Sequence, residues 1–410
     1  MTDPRDFPPP ADWRRGFLVQ MLVAGLTVTA IHATRPTVTY RALDLGATTV
    51  EIGLIQSAFS ILPALLAVAI GRAVDRVGAS RYMIMAMVAL SVGGVIAAYA
   101  GGLVLLALAQ VAMGLGQIIY LVAGQALVAN HGPRQDREVR FGHYATVNSI
   151  GQLAGPAIAA VIIGGTTGIV AVGMLASGGA GAPVVLPAVA AGAGLVPDNP
   201  EGLVFLVGTG LALLAVGLAF LLPGLTRRPD RPAERPAERG PGTLSVAGRV
   251  LRRPGMRGAM FVSIVVISTM DVLIAYLPAY GEATGLSVGL VGGLLSVRAG
   301  ASLVSRLFMA PLIVRLGRAR LLAVSMALAA VGMLGLPLAT SPIVLFGIMI
   351  AIGLGLGLVQ PMTIAWVANR SPRSERGTAL GVRITGNRVA LLIVPTLMGA
   401  LAGAAGIAAI

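Results

Sequence analysis

Cysteine is absent from this 410-residue chain, which excludes disulfides, thiolate chemistry and cysteine-based metal sites. Lysine is absent too. All 30 basic residues are Arg, a bias we attribute to codon usage, and no substrate follows from it. Histidine occurs only as His32, His131 and His143, too scattered for a metal cluster. No nucleophile and base stand at supporting spacing, so neither an enzyme nor a cofactor is expected. A cleavable signal peptide is missing as well: Met1 to Arg15 is polar and holds Pro8-Pro9-Pro10, and the apolar run that follows is too long for a signal h-region. Charge is scarcest of all. Charged residues make up 11% of the chain, against about 25% in soluble domains, which excludes a soluble globular protein.

What is there instead is apolar: 56% hydrophobic residues and a mean hydropathy of +0.87. A helix crossing a bilayer needs about 20 such residues. Runs of about that length recur at 17–39, 50–70, 82–99, 103–129, 142–164 and 202–223, then at 258–280, 287–310, 321–339, 343–368 and 378–407. The net charge of +14 and pI near 11.4 would suit nucleic acid. The Arg-rich stretches, however, fall in alternate loops, the pattern that marks cytoplasmic loops of membrane proteins. The expected partner is therefore the lipid bilayer, with no nucleic acid. The expected location is the bacterial cytoplasmic (inner) membrane, crossed many times.

The chain divides in four. Residues 1–16 read as a cytoplasmic tail, 17–223 as an N-terminal transmembrane bundle, 224–256 as a cytoplasmic linker and 257–410 as a C-terminal bundle. The linker contains Arg-Pro-Ala-Glu twice and is too rich in Pro and charge to build a core. An internal repeat supports the division. A shift of 239 residues lays Gly114-Leu115-Gly116 on Gly353-Leu354-Gly355, Val128-Ala129-Asn130 on Val367-Ala368-Asn369, Asn148 on Asn387 and Pro156 on Pro395. Arg76, Gly78 and Arg81 likewise fall on Arg315, Gly317 and Arg320. The halves are thus related without inversion, and matching loops lie on one side. The apolar Gly/Ala-rich segment 164–201 has no counterpart; it reads as an insertion on the outer side that adds no span, or a paired re-entrant one. The sixth span has no partner in the second half either. The chain is expected to be truncated from 12 spans, or to have 11 with an external C-terminus.

Between the second and third runs lies Gly71-Arg72-Ala73-Val74-Asp75-Arg76-Val77-Gly78-Ala79-Ser80-Arg81. Read as G-x-x-x-D-R-x-G-x-x-R, it resembles the loop between helices 2 and 3 of the major facilitator superfamily of secondary transporters. Gly71 and Gly78 suit close helix approach and a sharp reversal, and Arg76 and Arg81 hold the loop in the cytoplasm. The resemblance implies an all-α polytopic membrane protein with the major facilitator fold: two pseudo-symmetric helical bundles rocking around a midplane site. It also implies that Asp75 docks near the start of the last span, around Ser374 to Thr378, when the cytoplasmic side is closed. Gly151, Gly155 and Pro156 in the fifth span resemble the motif of the drug and proton antiporter branch. Ala159-Ala160 replaces its tandem glycine, and Gln110 stands where that branch carries an Arg.

Ionisable groups within spans are costly and so are the first functional candidates. Asp271 lies about 20 Å into the seventh span, and Arg298 and Arg388 about 16 Å into theirs. His32 and Arg35 lie toward the outer end of the first span, and the repeat sets His32 on Asp271. Gln56, Gln117, Gln152, Tyr276 and Gln360 are secondary, cavity-lining candidates. On this reading Asp271 carries a proton, Arg298 and Arg388 favour substrates with an anionic group, and small organic molecules are exported by a monomer in exchange for protons. The alternatives are proton-coupled uptake of an organic anion, an ion pair of Asp271 with one Arg inside the second bundle that serves structure alone, and a non-transporting membrane receptor on the same fold.

Overall fold

A computed structural model describes residues 13–130, 137–177, 199–220, 248, 251–371 and 376–407. The first half contributes α1 (Trp13–Asp44), α2 (Thr49–Val77), α3 (Ala79–Ala98), α4 (Leu103–Asn130), α5 (Arg137–Ser177) and α6 (Pro200–Phe220). The second contributes α7 (Met256–Thr284), α8 (Val288–Leu307), the short α9 (Met309–Leu316), α10 (Arg318–Gly335), α11 (Pro342–Asn369) and α12 (Arg376–Ala405). Among the described residues there is no strand, and 11 helices are long and apolar enough to cross a membrane. The chain is a multi-pass membrane protein.

Local chemistry sets several boundaries. Thr48 starts α2 with a capping box: its hydroxyl accepts from the Glu51 N–H, while the Glu51 carboxylate accepts from the Thr48 N–H. Gly78 alone separates α2 from α3, at φ +109°, and Gly317 separates α9 from α10 at φ +76°. Only glycine takes such angles without strain, and the two positions are repeat equivalents. The fifth helix departs from expectation. It continues past residue 164 to Ser177, because that stretch holds no proline and no charge. At about 1.5 Å per residue it is about 60 Å long, roughly twice the hydrocarbon thickness. The rest of the segment read as an insertion, 178–198, and most of the linker lie outside the described residues.

The 239-residue register reappears in the packing. A Cβ at Gly114 would strike the backbone of Phe59, and one at Gly116 the backbone of Ala86. In the second half, Gly353 abuts Arg298 and Gly355 abuts Ser325, each partner shifted by the same 239. The halves meet where α5 crosses α8 and α2 crosses α12. A Cβ at Gly292 would lie 2.8 Å from the Pro156 carbonyl, and one at Gly53 2.6 Å from that of Pro395. These too are repeat equivalents, so one backbone-to-backbone contact is used twice.

At the end carrying Asp44 and Thr48, read as outer, one apolar cluster draws on both halves. It joins Val38, Ile52, Leu106 and Phe205 to Val272, Ala275, Tyr276 and Ala279. Toward the inner end the clusters stay within their own halves: Met83, Met87 and Leu127 in the first, Met256, Met260 and Val367 in the second. The two halves are packed together at the end read as outer.

Candidate functional site

Where α1 faces α7, buried polar groups collect. Arg35 donates from Nη1 to Asp271 Oδ1 at 2.5 Å, and only 6% of Arg35 and 5% of Asp271 is exposed. The guanidinium also stacks 4.4 Å above the Phe59 ring and reaches Gln56 Oε1 from Nη2 at 3.4 Å. Stacking a weakly hydrated guanidinium on an aromatic face lowers the cost of its burial. Gln56 extends the network: its amide donates to Thr39 Oγ1 at 3.0 Å, and its carbonyl accepts from Gln110 Nε2 at 3.2 Å. Thr39 in turn donates across the interface to the Ala275 carbonyl at 2.6 Å. Four helices, α1, α2, α4 and α7, are tied through one salt bridge. Asp271 Oδ2 and Arg35 Nε, though buried, have no partner.

Two further buried guanidiniums have no carboxylate within salt-bridge distance among the described residues. Arg388 on α12 donates to Gln117 Oε1 on α4 at 3.4 Å, bridging the halves, and lies within electrostatic range of both Arg35 and Asp271. Arg298 on α8 is 4% exposed, yet its Nε and Nη1 are unpartnered. It occupies the repeat position of Phe59, the ring against which Arg35 stacks.

The remaining candidates sit elsewhere. His32 does not meet Asp271. Its Nδ1 is 3.0 Å from the Val28 carbonyl, and it packs where Gly155 lets α5 approach α1. The residue that reaches Asp271 is Arg35, one turn farther along. The Asp271 ion pair therefore links the two bundles rather than lying within the second. Gly151 and Gly155 bring α5 against α1, while Pro156 presents its carbonyl to Gly292 on α8. Tyr276 donates to the Pro395 carbonyl at 2.6 Å within the second half, and its hydroxyl lies 3.4 Å from the Thr49 carbonyl across the interface. Gln152 and Gln360 are part-buried and take no part in the network. In the loop motif, Gly71 has nothing within 4 Å of an added Cβ, so no close approach uses it in this conformation, and Arg81 is exposed. The side chains of Asp75 and Arg76, and of the α12 start that Asp75 is expected to reach, lie outside the described residues.

Residue-by-residue reading of the sequence passed over Phe59, Thr39, Arg306 and Arg383. Arg306 donates from Nη1 to Ser149 Oγ on α5 at 2.9 Å and from Nε to the Gly357 carbonyl at 3.2 Å. Arg383, 6% exposed, donates to Thr363 Oγ1 at 3.3 Å and leaves Nε unpartnered. Both lie near span ends, where a long side chain is ordinarily expected to reach water.

The comparisons accord with this architecture. The family model described as Major Facilitator Superfamily matches residues 18–299 and 259–410. An uncharacterized MFS-type transporter, YdeG of Bacillus subtilis (strain 168), is 31% identical over 149 residues, 36% of this chain. That match spans only 33% of the relative's own length. Among solved structures, a bacterial homolog of the human lysosomal transporter Spinster, inward-facing and unoccupied, superposes with a TM-score of 0.72 at 16% identity, covering 96% of this chain and 83% of that one. The nucleoside transporter NupG gives 0.70 at 12% identity, over 95% and 92%. A D-xylose-proton symporter gives 0.68 at 15% identity, over 94% and 89%. At such identities the likeness establishes the fold.

Proposed function

This chain belongs to the major facilitator superfamily, and from that premise we propose that it is a secondary active transporter moving small organic anions together with protons across a bacterial inner membrane by alternating access. The observation that carries the proposal is the Arg35–Asp271 pair between the halves, with Arg388 in electrostatic range of it and Arg298 buried on α8, neither paired with a carboxylate among the described residues. Ionised Asp271 neutralises Arg35 and repels an entering anion. A proton on Asp271, at its unpartnered Oδ2, removes that repulsion and frees Arg35 Nη1 to donate to substrate. Each of the two ligands thus strengthens binding of the other, and linkage makes the coupling reciprocal. Positive coupling of proton and anion supports cotransport. The antiport expected from the fifth-helix motif would require a substrate that competes with the proton, as a cation does.

The D-xylose-proton symporter of like fold couples its substrate to protons, so the architecture accommodates such coupling. The drug and proton antiporter branch has weaker support, because Gly151 and Gly155 are accounted for by close packing of α5 on α1.

The test is flux into proteoliposomes holding the purified chain, under an imposed pH gradient, acidic outside. Radiolabelled carboxylates are expected to accumulate with the gradient, and a protonophore should abolish the accumulation. Accumulation of organic cations under the opposite gradient would return the assignment to antiport. Absence of any flux, with binding retained, would favour a receptor.

A further inference from the structure

We propose that the transported substrate carries two negative charges, as a dicarboxylate or a phosphate monoester, rather than one. The inference rests on the anion-transport reading and sharpens it.

Its ground is a charge count along α8 and α12. On α1, α8 and α12 four guanidiniums are less than 9% exposed: Arg35, Arg298, Arg383 and Arg388. Against them, among the described residues, Asp271 is the one buried carboxylate. Arg306 adds a fifth, part-buried cation. Arg298, Arg306, Arg383 and Arg388 have no carboxylate within salt-bridge distance among the described residues; their hydrogen bonds go to amide, hydroxyl and carbonyl oxygens or are missing. A buried charge left without a counter-charge is costly, and a chain carries such a cost where a ligand supplies the counter-charge in function. Three guanidiniums buried beyond the Arg35–Asp271 pair exceed what one carboxylate can offset.

The arrangement is also extended. Arg298 and Arg306 are separated by about 12 Å of helix rise, and Arg383 and Arg388 by about 7.5 Å. In each pair the second arginine lies nearer the inner end on α8, and the first does on α12, because the helices run oppositely. Two anionic groups on one small molecule, or the doubly charged oxygens of a phosphate, supply counter-charge to more than one guanidinium. A single carboxylate satisfies one guanidinium bidentately and leaves the others bare. The unpartnered Nε and Nη1 of Arg298 leave donors on two edges of its guanidinium without a protein acceptor.

The experiment measures thermal stabilisation of the full chain in nanodiscs of neutral lipid, at a pH where the probes are fully ionised. The probes are succinate, glycerol 3-phosphate, butyrate and glycerol, and proton-coupled flux of the same compounds is followed in proteoliposomes. Succinate or glycerol 3-phosphate is expected to stabilise at concentrations at least about 10-fold lower than butyrate, since bound ligand stabilises by mass action. Arg298→Gln should erase most of that preference while Arg298→Lys retains part of it, and unfolding of the ligand-free variants separates binding from folding. Equal response to butyrate and succinate, or loss of both alike in Arg298→Gln, overturns the proposal. If butyrate is carried with protons, the anion-transport reading survives without it; if glycerol alone binds and moves, both fall. Stabilisation by anionic lipid, with none by any soluble anion, would assign the arginines to headgroups and overturn it as well.

Discussion

Asp271→Asn should abolish proton-driven accumulation and destabilise the folded chain by about 3 to 5 kcal/mol, because it leaves the Arg35 guanidinium buried without its counter-charge. Arg35→Gln should destabilise similarly from the other side. The double variant, Asp271→Asn with Arg35→Gln, removes both charges and keeps the volume nearly constant. It should recover most of the stability, since neutral replacement of a buried pair is often close to neutral in free energy. Coupling should stay lost in the double variant, as no acid remains to carry the proton. The measurements are unfolding midpoints in detergent and pH-gradient-driven uptake in proteoliposomes. If the double variant regains coupled uptake, Asp271 is a structural partner and the proton travels elsewhere. Gln56 sharpens the test: it bonds Arg35, Thr39 and Gln110, so Gln56→Leu should loosen the network without removing a charge and leave coupling partly intact.

The fold was legible in the chain because its two strongest signals are collective. Span length is set by bilayer thickness, and a repeat register is confirmed by many positions at once; Gly114 against Phe59 and Gly353 against Arg298 show that the same register governs packing. The site was legible only in outline. The repeat aligns His32 with Asp271 and so says which helices face each other, but the residue that meets Asp271 lies three positions on, at one helical turn. Which of two side chains on the same face reaches across depends on neighbours from other helices. Here the Phe59 ring and the Gln56 amide hold Arg35 in place, and their positions lie more than 20 residues away. Gln110 looked like the loss of a charge when judged on its own helix. Fully buried against Gln56, it is instead a neutral link in a network whose charge comes from α1. Helix α5 ran past its expected end because a Gly/Ala-rich stretch without proline carries no stop signal that composition alone would reveal.

Gly53→Val should open the outer end. At Gly53 an added Cβ would sit 2.6 Å from both the Pro395 carbonyl and the Tyr276 hydroxyl, two second-half groups that already bond each other and face α2. Backbone cannot step aside as a flexible side chain can, so the bulk must be absorbed by separating α2 from α12. Overpacking of this kind costs about 1 to 3 kcal/mol, charged against the outer-closed state alone. A penalty of about 1.4 kcal/mol already changes the open-to-closed ratio tenfold. Gly292→Val applies the same wedge at the repeat-equivalent crossing of α5 and α8, so it should act in the same direction. The chain has no cysteine, which allows a clean reporter: Ala279→Cys, 5% exposed within the outer cluster. An impermeant maleimide should label that position about 10-fold faster in the Gly53→Val background and comparably in the Gly292→Val background, with net uptake falling in both. Gly210→Val serves as control, since Gly210 is exposed and its added atoms meet open space, and Ala279→Cys labelling in that background should match the parent. Unchanged labelling in both wedge variants would show that the two crossings do not hold the outer end shut, and would leave the Arg35–Asp271 pair with Thr39 as the closing contact.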